Sequence, residues 1–241
     1  MLGRAFAPEG RLRAAINIGN GVLARRADPH GPVTGVSVDL ANELGRRLGL
    51  GVEPLVVATA GAAVESMRAG QVDIGFFAID PARGKGIVFS PPYIHIEGAY
   101  AVPVESPLRA PADVDRPGVR IAVGRDSAYD LFLTREIKAA TLVRAPTSQA
   151  VVPMMLAQNL EVAANVRQQL EVDLPRNPGR LRLIPESFMT IKQAMGLAAG
   201  RDPEAAAYLA AFVEEMKASG FVAAALKRHG IEGAAVAPAG P

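Results

Sequence analysis

The stretch from residue 71 to residue 93, QVDIGFFAIDPARGKGIVFSPPY, is the part of the chain from which the fold is most directly inferred. The apolar run at 72–77 is typical of a strand buried on both faces of a sheet, and a second strand follows, closed by two prolines. Between the strands lies a short polar loop that carries one arginine, Arg83. A guanidinium at this place can bind a small anion, because its planar donors match a carboxylate. The alternative is that Arg83 is a solvated loop residue.

Before this stretch, the apolar spacing alternates between that of a strand and that of a helix. The expected elements are a strand at 12–17, a helix at 37–48, a strand at 52–57 and a helix at 62–69. Ser37 is expected to be the N-cap of the first helix, and Gly49 to end it. This alternating order predicts a mostly parallel sheet with helices on its faces.

After this stretch, a strand at 95–102 leads into a proline-rich connection, and the alternation then starts again. The second series comprises strands at 119–123, 142–145, 160–164 and 181–184, with helices from Ser127 and from Thr147 or Ser148. The chain then forms a long helix, for which Asp202 and Pro203 supply the N-cap and first position, and a final helix at 221–229. The tail at 232–241 is expected to be disordered. A second α/β unit is therefore predicted to be inserted within the first.

The composition predicts a packed protein and argues against several classes of function. Of the 241 residues, 49% are hydrophobic and 21% charged, and the net charge is only +2. So small a basic excess, with few aromatic rings and no Trp, indicates no nucleic-acid partner. The absence of Cys excludes zinc–thiolate sites, thiol nucleophiles and disulfides. Three scattered histidines have no metal-binding spacing, so no metal and no cofactor are expected.

The first residues bear on localisation. The opening MLGRAFAPEGRLRAAIN lacks the apolar h-region of a secretory signal. We expect a periplasmic protein whose signal peptide has been trimmed from this chain, or a cytoplasmic one if Met1 is the native start.

Several segments, in a consistent order between residues 11 and 231, resemble one family. They are GVSVDLANELGRRLG (35–49), ESMRAGQVDIGFF (65–77), DPARGKGIVFSPPY (80–93), VRIAVGRDSAYD (119–130) and DPEAAAYLAAFVEEMKASGFVAAALKRHG (202–230). Together they are similar to the amino-acid class, family 3 type, of the extracytoplasmic solute-binding proteins of ABC importers. The resemblance implies a two-lobed periplasmic-binding-protein-like α/β fold of type II, each lobe being a mostly parallel sheet flanked by helices.

The resemblance also implies how the lobes are divided and what they do. Lobe 1 is expected at 1–102 and 185–241, and lobe 2 at 103–184, joined by a two-segment hinge. A small carboxylate-bearing solute, an amino acid or a related organic acid, is expected to bind in the interlobe cleft and to be delivered to the permease subunits of an ABC transporter. The protein is expected to be a monomer.

The resemblance assigns ligand-binding roles to particular residues. In this family the arginine after the third strand grips the α-carboxylate of the ligand, and here that residue is Arg83. Backbone groups of Phe76, Ala78 and Asp80 are expected to share this role. In the second lobe the turn at Asp126 and Ser127 is expected to contribute, because free N–H groups at a helix start attract an anion. The alternative for Ser127 is that it acts only as an N-cap.

The chain departs from the family where an α-ammonium group is usually held. The family commonly has acidic residues at the positions of Asn165 and Asn17, and aromatic rings at those of Asn20 and Ala60. The ligand is therefore either a carboxylate without an α-amino group or an amino acid held differently, with Asp80, Asp126 or Glu97 as possible partners. Asn17, Asn20 and Asn165 remain candidate ligand contacts. Asn17 and Asn20 are alternatively turn residues of the segment IGNG.

Two other functions remain open at this stage. A cyclohexadienyl dehydratase has a similar fold, and an enzyme of this kind would need an acid, for which Glu97, Glu186 or His95 are candidates. Tyr93, His95 and Glu97 alternate along one strand and so share a face, which an exposed strand near the hinge would also explain. The third possibility is a ligand-sensing module. The transport interpretation involves no catalytic residue.

Overall fold

The structure, a computed structural model, describes residues 2–28 and 30–240. The chain divides into two compact units, unit 1 at residues 1–95 and 192–241 and unit 2 at residues 96–191. Both divisions fall inside long strands, whereas the boundaries inferred from the sequence lie at 102/103 and 184/185. The difference arises because the first of these strands continues to Pro103 without a loop that would mark the boundary.

The first part of unit 1 follows the predicted alternation, with a short helix before it and a two-stranded ribbon within it. Its elements are α1 (Leu2–Phe6), β1 (Arg11–Asn17), β2 (Arg25–Arg26), β3 (Val33–Thr34), α2 (Val36–Leu48), β4 (Gly51–Val57), α3 (Ala60–Arg68), β5 (Ile74–Ala78) and the first half of β6 (Ile87–Pro103). β1 lies between β4 and β5 and is parallel to both. The three strands therefore end at one edge of the sheet.

Unit 2 contains a second parallel set of strands. Besides the second half of β6, its elements are β7 (Arg120–Gly124), α4 (Ala128–Glu136), β8 (Thr141–Ala145), α5 (Val151–Gln158), β9 (Val162–Val166), α6 (Arg167–Asp173), β10 (Leu181–Leu183) and the start of β11 (Met189–Ala198). β7 lies between β8 and β9 and is parallel to both, while β6 pairs with β9 in the antiparallel sense. α5 covers one face through Val151, Val152 and Met155.

The chain completes unit 1 with the rest of β11 and three further elements, α7 (Pro203–Ala218), α8 (Phe221–Arg228) and β12 (Ala235–Val236). β11 runs antiparallel to β5, and Gln193 is the Cα partner of Ala78. On one face of this sheet, α3 buries Val64 and Met67 against Phe77. None of the described helices is long and apolar enough to cross a membrane.

The predicted helix caps have different outcomes. Ser127 caps α4 and Asp202 caps α7, as predicted, each accepting a backbone N–H with its side chain. The prediction for Ser37 is wrong, because α2 begins one residue earlier after the N-cap Gly35, and Ser37 is buried inside the helix. Gly35 has φ 144°, and a Cβ there would lie 2.4 Å from the carbonyl oxygen of Leu23, so a glycine is required at this close approach.

The expectation of a disordered tail is also wrong for the described residues of 232–241; Pro241 lies outside them. β12 pairs with Ile94 and His95 of β6, and the N–H of the buried Ala237 donates to the carbonyl of Tyr93 at 3.0 Å. Strand pairing supplies partners for tail backbone groups that local composition does not reveal.

A buried carboxylate ties β1 to the segment before β5 and to the segment after β11. Asp73 accepts hydrogen bonds from the backbone N–H of Arg13 at 3.0 Å, from its Nε at 3.0 Å and Nη2 at 2.9 Å, and from Nη2 of Arg201 at 2.7 Å. Burial alone would raise the pKa of Asp73, but the hydrogen bonds from Arg13 outweigh it, and the pKa lies below its ordinary value of 3.8. The carboxylate is therefore ionised and stabilises the fold at neutral pH.

We predict that Asp73→Asn lowers the free energy of unfolding by about 3 kcal/mol near neutral pH, because two guanidinium groups lose a buried anionic partner. A lowered pKa in the folded state stabilises the fold above the unfolded pKa, and this contribution disappears as the pH falls through the folded pKa. The difference from wild type should therefore shrink below the ordinary pKa of 3.8. Urea unfolding at about pH 7 and about pH 3 measures it.

The matched control is Glu53→Gln, an exposed carboxylate of unit 1 that lies 3.8 Å from Arg11. It should change the free energy of unfolding by less than about 0.5 kcal/mol. An equal loss in the two variants, or a loss at Asp73 that does not depend on pH, would contradict the assignment.

Candidate functional site

The carboxyl edge of the parallel strands in unit 1 brings several of the expected ligand-binding residues into one region. β1 ends at Asn17 and β5 ends at Ala78. Open α/β sheets bind their ligands at this edge, where loops leave the strands. The loop at residues 79–86 leaves β5 here and carries both Asp80 and Arg83.

This loop is fixed at both of its ends. The N–H of Ile79 donates to the carbonyl of Lys192 at 2.8 Å, and the N–H of Ala199 donates to the carbonyl of Gly86 at 2.9 Å. Lys192 is the first unit 1 residue of β11, and Ala199 directly follows the last residue of this strand. Loop 79–86 is consequently held on the sheet rather than left to extend into solvent.

Inside the loop, a tight turn at Asp80 sets the direction of Arg83. Oδ1 of Asp80 accepts the N–H of Ala82 at 2.8 Å, and its carbonyl accepts the N–H of Arg83 at 3.0 Å. Arg68 of α3 supports the same turn by donating Nη2 to the carbonyl of Ala82 at 3.1 Å. An Asp side chain that binds the backbone two residues on is a common way of closing such a turn.

The Arg83 side chain returns to the end of the strand from which the loop leaves. It is only 4% exposed, and its Nη1 donates to the carbonyl of Ala78 at 3.3 Å. A guanidinium has five N–H donors, and burial of a cation requires electron-rich partners around it. Phe76 and Ala78 are buried beside it on β5, and Asp80 is buried in the loop. These residues therefore belong to one small region of unit 1.

Asn17 and Asn20 both act as turn residues. Oδ1 of Asn17 accepts the N–H of Gly19 at 2.8 Å, and Oδ1 of Asn20 accepts the N–H of Val22 at 3.1 Å. Asn17 is buried at the end of β1, whereas Asn20 is half-buried. The turn interpretation thus describes what these side chains do in the structure, and contact with a ligand stays a prediction for both.

In unit 2, Asp126 and Ser127 shape the start of α4 at the carboxyl end of β7. Oγ of the buried Ser127 accepts the N–H of Asp130 at 3.0 Å. Asp126 is exposed in the left-handed conformation with φ 58°, and its N–H donates to Oδ2 of Asp130 at 2.9 Å. The N-cap role of Ser127 is therefore present, and anion binding at this helix start stays a prediction.

Asn165 is fully buried at the end of β9, and its amide is used within unit 2. Nδ2 donates to the carbonyl of Ser148 at 2.8 Å, and Oδ1 accepts the N–H of Val166 at 2.8 Å. These bonds fix Asn165 to its own strand end and to the turn that follows β8. Its role as a ligand contact likewise stays a prediction.

Two of the residues considered as catalytic acids, Glu97 and His95, are poorly suited to donating a proton at neutral pH. Hydrogen bonds from Ser187 and from Arg167, whose Nε lies 2.6 Å from Oε2, hold the pKa of Glu97 below its ordinary range. Burial, together with the charges of two lysines, lowers the pKa of His95. Glu97 is therefore ionised and His95 neutral at this pH. Glu186 is exposed between β10 and β11.

Two residues at the carboxyl edge of unit 1 were not anticipated from the sequence. Thr59 follows β4 and caps α3 by accepting the N–H of Ala62 at 3.1 Å, and Gln193 lies on β11 opposite Ala78. Apolar residues alternate along β11, and Gln193 interrupts that alternation at an inward position, which is the signal that was available. Among the described residues, no group of His, Cys, Asp and Glu is arranged to hold a metal ion.

Comparison with known proteins identifies a sequence family. The sequence profile of the bacterial extracellular solute-binding proteins, family 3, matches residues 24–232. No curated protein sequence matches the chain.

Several solved structures share the fold. A putative binding component of an ABC transporter from Wolinella succinogenes DSM 1740, complexed with lysine, is 20% identical with TM-score 0.78, over 91% of this chain and 95% of its own. The ancestral amino acid-binding protein AncCDT-1, a precursor of cyclohexadienyl dehydratase, is 17% identical with TM-score 0.78, over 94% of this chain and 97% of its own. A histidine kinase sensor domain with similarity to periplasmic binding proteins is 18% identical with TM-score 0.78, over 94% of this chain and 98% of its own. At these identities the likeness shows the fold alone, and it confirms the predicted fold class.

We predict that Gly19→Ala destabilises the protein by at least about 2 kcal/mol, because a side chain there has no room. A Cβ at Gly19 would lie 2.1 Å from the carbonyl oxygen of Ala58, so the turn after β1 would have to move away from β4. Gly21→Ala is the matched control, since a Cβ at that position meets nothing within 4 Å. Urea unfolding should show a change within about 0.5 kcal/mol for the control. Equal effects at both glycines would contradict this description of the edge.

Proposed function

The chain belongs to the bacterial extracellular solute-binding proteins, family 3, and on that premise we propose that it binds a small carboxylate-bearing solute, an amino acid or a related organic acid, and delivers it to an ABC transporter. The proposed place of action is outside the cytoplasm, as the name of the family implies. The proposed partners are the solute and the permease subunits of the transporter, with the binding protein acting as a monomer.

The observation that carries this proposal is the buried guanidinium of Arg83 at the carboxyl edge of unit 1. The side chain lies in a loop fixed to the sheet at both ends, and it reaches back to the carbonyl of Ala78 at 3.3 Å. A cation held in place in a poorly solvated position binds a carboxylate more strongly than an exposed one, because less water competes for it. The backbone of Phe76, Ala78 and Asp80 supplies further polar groups beside it.

For unit 2 we propose that the start of α4 is a ligand contact. Ser127 and Asp126 set the first turn of a nine-residue helix, and the partial positive charge of its N-terminus favours an anionic or electron-rich group. Asn17, Asn20 and Asn165 are proposed as secondary polar contacts of the solute. The bonds of Asn165 to Ser148 and Val166 leave it fewer free hydrogen-bonding positions than Asn17 and Asn20 have.

Binding is favoured over catalysis by the protonation states of Glu97 and His95. The neighbour described as a precursor of cyclohexadienyl dehydratase shows that this fold is related to an enzyme. Here Glu97 is paired with Arg167 and its pKa is lowered, so it is not a proton donor near neutral pH. A sensory role has the histidine kinase sensor domain as a structural precedent, but no contact of the described residues favours it over transport.

We predict that Arg83→Gln weakens binding of the solute at least about 100-fold, since a charge-assisted bidentate contact is lost in a buried position. A thermal-shift screen of L-amino acids, 2-hydroxy acids and 2-oxo acids identifies the solute, because a bound ligand raises Tm by mass action. Titration calorimetry of wild type and variant with that acid then measures the loss.

Arg11→Gln is the matched control, because its side chain is 75% exposed in the same unit. It should bind the acid as wild type does. Retained affinity in Arg83→Gln, with both variants folded by circular dichroism, would exclude Arg83 as the carboxylate contact.

For the rival function we predict no turnover of prephenate or arogenate, because Glu97 is ionised and His95 is neutral near neutral pH. Chromatography of overnight incubations would reveal phenylpyruvate or phenylalanine as products. Formation of either product above the background of a heat-inactivated sample would contradict the transport proposal and support catalysis instead.

A further inference from the structure

Gln193 presents a buried side-chain oxygen that the fold does not satisfy. It lies on β11 and is 4% exposed. Its Oε1 is buried and accepts no hydrogen bond from any of residues 2–28 and 30–240. Asn165, a buried amide in unit 2, shows the contrast, because its nitrogen and its oxygen both have partners.

An unsatisfied buried amide is costly, and most folded proteins avoid it. Such a group loses its bonds to water and gains none in return. A methionine of similar shape at this position would avoid the cost and would continue the apolar alternation of Ile191, Met195 and Leu197 along β11. The presence of a polar residue here therefore calls for a partner that the folded chain itself does not provide.

The position of Gln193 places that partner at the proposed carboxylate site of unit 1. Gln193 is the Cα partner of Ala78 across an antiparallel pair, so the two side chains lie on the same face of the sheet. The carbonyl of Ala78 accepts the bond from Arg83, and the carbonyl of the preceding Lys192 fixes the start of loop 79–86. Gln193 thus stands beside the anchored loop, at the edge where the strands end.

We propose that Gln193 is a ligand contact, whose amide binds a second polar group of the acid that Arg83 holds by its carboxylate. This proposal rests on the proposed function and narrows the class of solute. The oxygen that lacks a partner, Oε1, is an acceptor, so it fits a group that donates a hydrogen bond, such as a hydroxyl, amino or carboxamide group near the carboxylate. The solute class is therefore a substituted acid, as opposed to an unsubstituted carboxylate.

The first test uses the ligand-free protein. Gln193→Met removes an unsatisfied amide while keeping the volume of the side chain, so Tm should rise by about 2–4 °C. Gln71→Met is the control, since Gln71 is exposed in the same unit, and its Tm should stay within about 1 °C of wild type. A lower Tm in Gln193→Met would show that the amide serves the fold, and would overturn the proposal.

The second test uses pairs of acids that differ only in the second polar group. The pairs are L-lysine and 6-aminohexanoate, L-glutamate and glutarate, L-malate and succinate, and L-phenyllactate and 3-phenylpropionate. Wild type should bind one substituted acid at least about 10-fold more tightly than its unsubstituted partner. In Gln193→Met this ratio should fall to about one through weaker binding of the substituted acid, while Gln71→Met keeps the wild-type ratio.

The outcomes separate the two proposals. If Arg83→Gln abolishes binding of the whole pair but Gln193→Met keeps the wild-type ratio, the proposed function stands and the role of Gln193 is wrong. If no acid binds wild type, the proposed function fails and the ligand role of Gln193 fails with it. If Arg83→Gln binds as wild type does, Arg83 is excluded as the carboxylate contact, and the role of Gln193 beside it is wrong. Loss of the ratio together with a higher Tm supports Gln193 as the contact.

Discussion

The return of Arg83 to the carbonyl of Ala78 is the contact on which the proposed site depends. It keeps a cation buried at the end of β5, and it does so only because loop 79–86 is fixed to the sheet at Ile79 and at Gly86. A charged side chain on a loop is ordinarily mobile, and its entropy would oppose binding. Here the loop and the sheet hold the guanidinium in advance, which is how a small site achieves useful affinity.

Two buried amides show how the fold separates structural from functional polar groups. Asn165 bonds to Ser148 and to Val166 and so contributes to the carboxyl edge of unit 2. Oε1 of Gln193 accepts no hydrogen bond within the described residues, and Gln193 is the Cα partner of Ala78 at the corresponding edge of unit 1. An unsatisfied group opposite the strand end that holds Arg83 is better explained by a solute than by the fold, because stability alone would favour an apolar side chain.

Local sequence signals were sufficient where structure is decided locally. The apolar run of β5, the loop carrying Arg83 and the caps at Ser127 and Asp202 all rest on residues near one another in the chain. The cap of α2 was misassigned because Gly35 is required by its close approach to Leu23, a contact that the sequence does not show.

Elements that form by pairing with distant segments of the chain, or that are very short, are not predictable from local sequence. β12 exists through its pairing with β6, and β11 through its pairing with β5, while α6 is too short for a clear periodic signal. The same holds for the candidate site. Arg83 is predictable from a local motif, whereas Gln193 is recognised as a candidate contact only once β11 is paired with β5 opposite Ala78.

The most direct measurement of the central claim is a crystal structure of the protein with the acid that raises Tm most. The account predicts that the carboxylate oxygens of that acid lie about 2.7–2.9 Å from the guanidinium nitrogens of Arg83. An acid bound with its carboxylate elsewhere, while Arg83 contacts only protein groups, would contradict it.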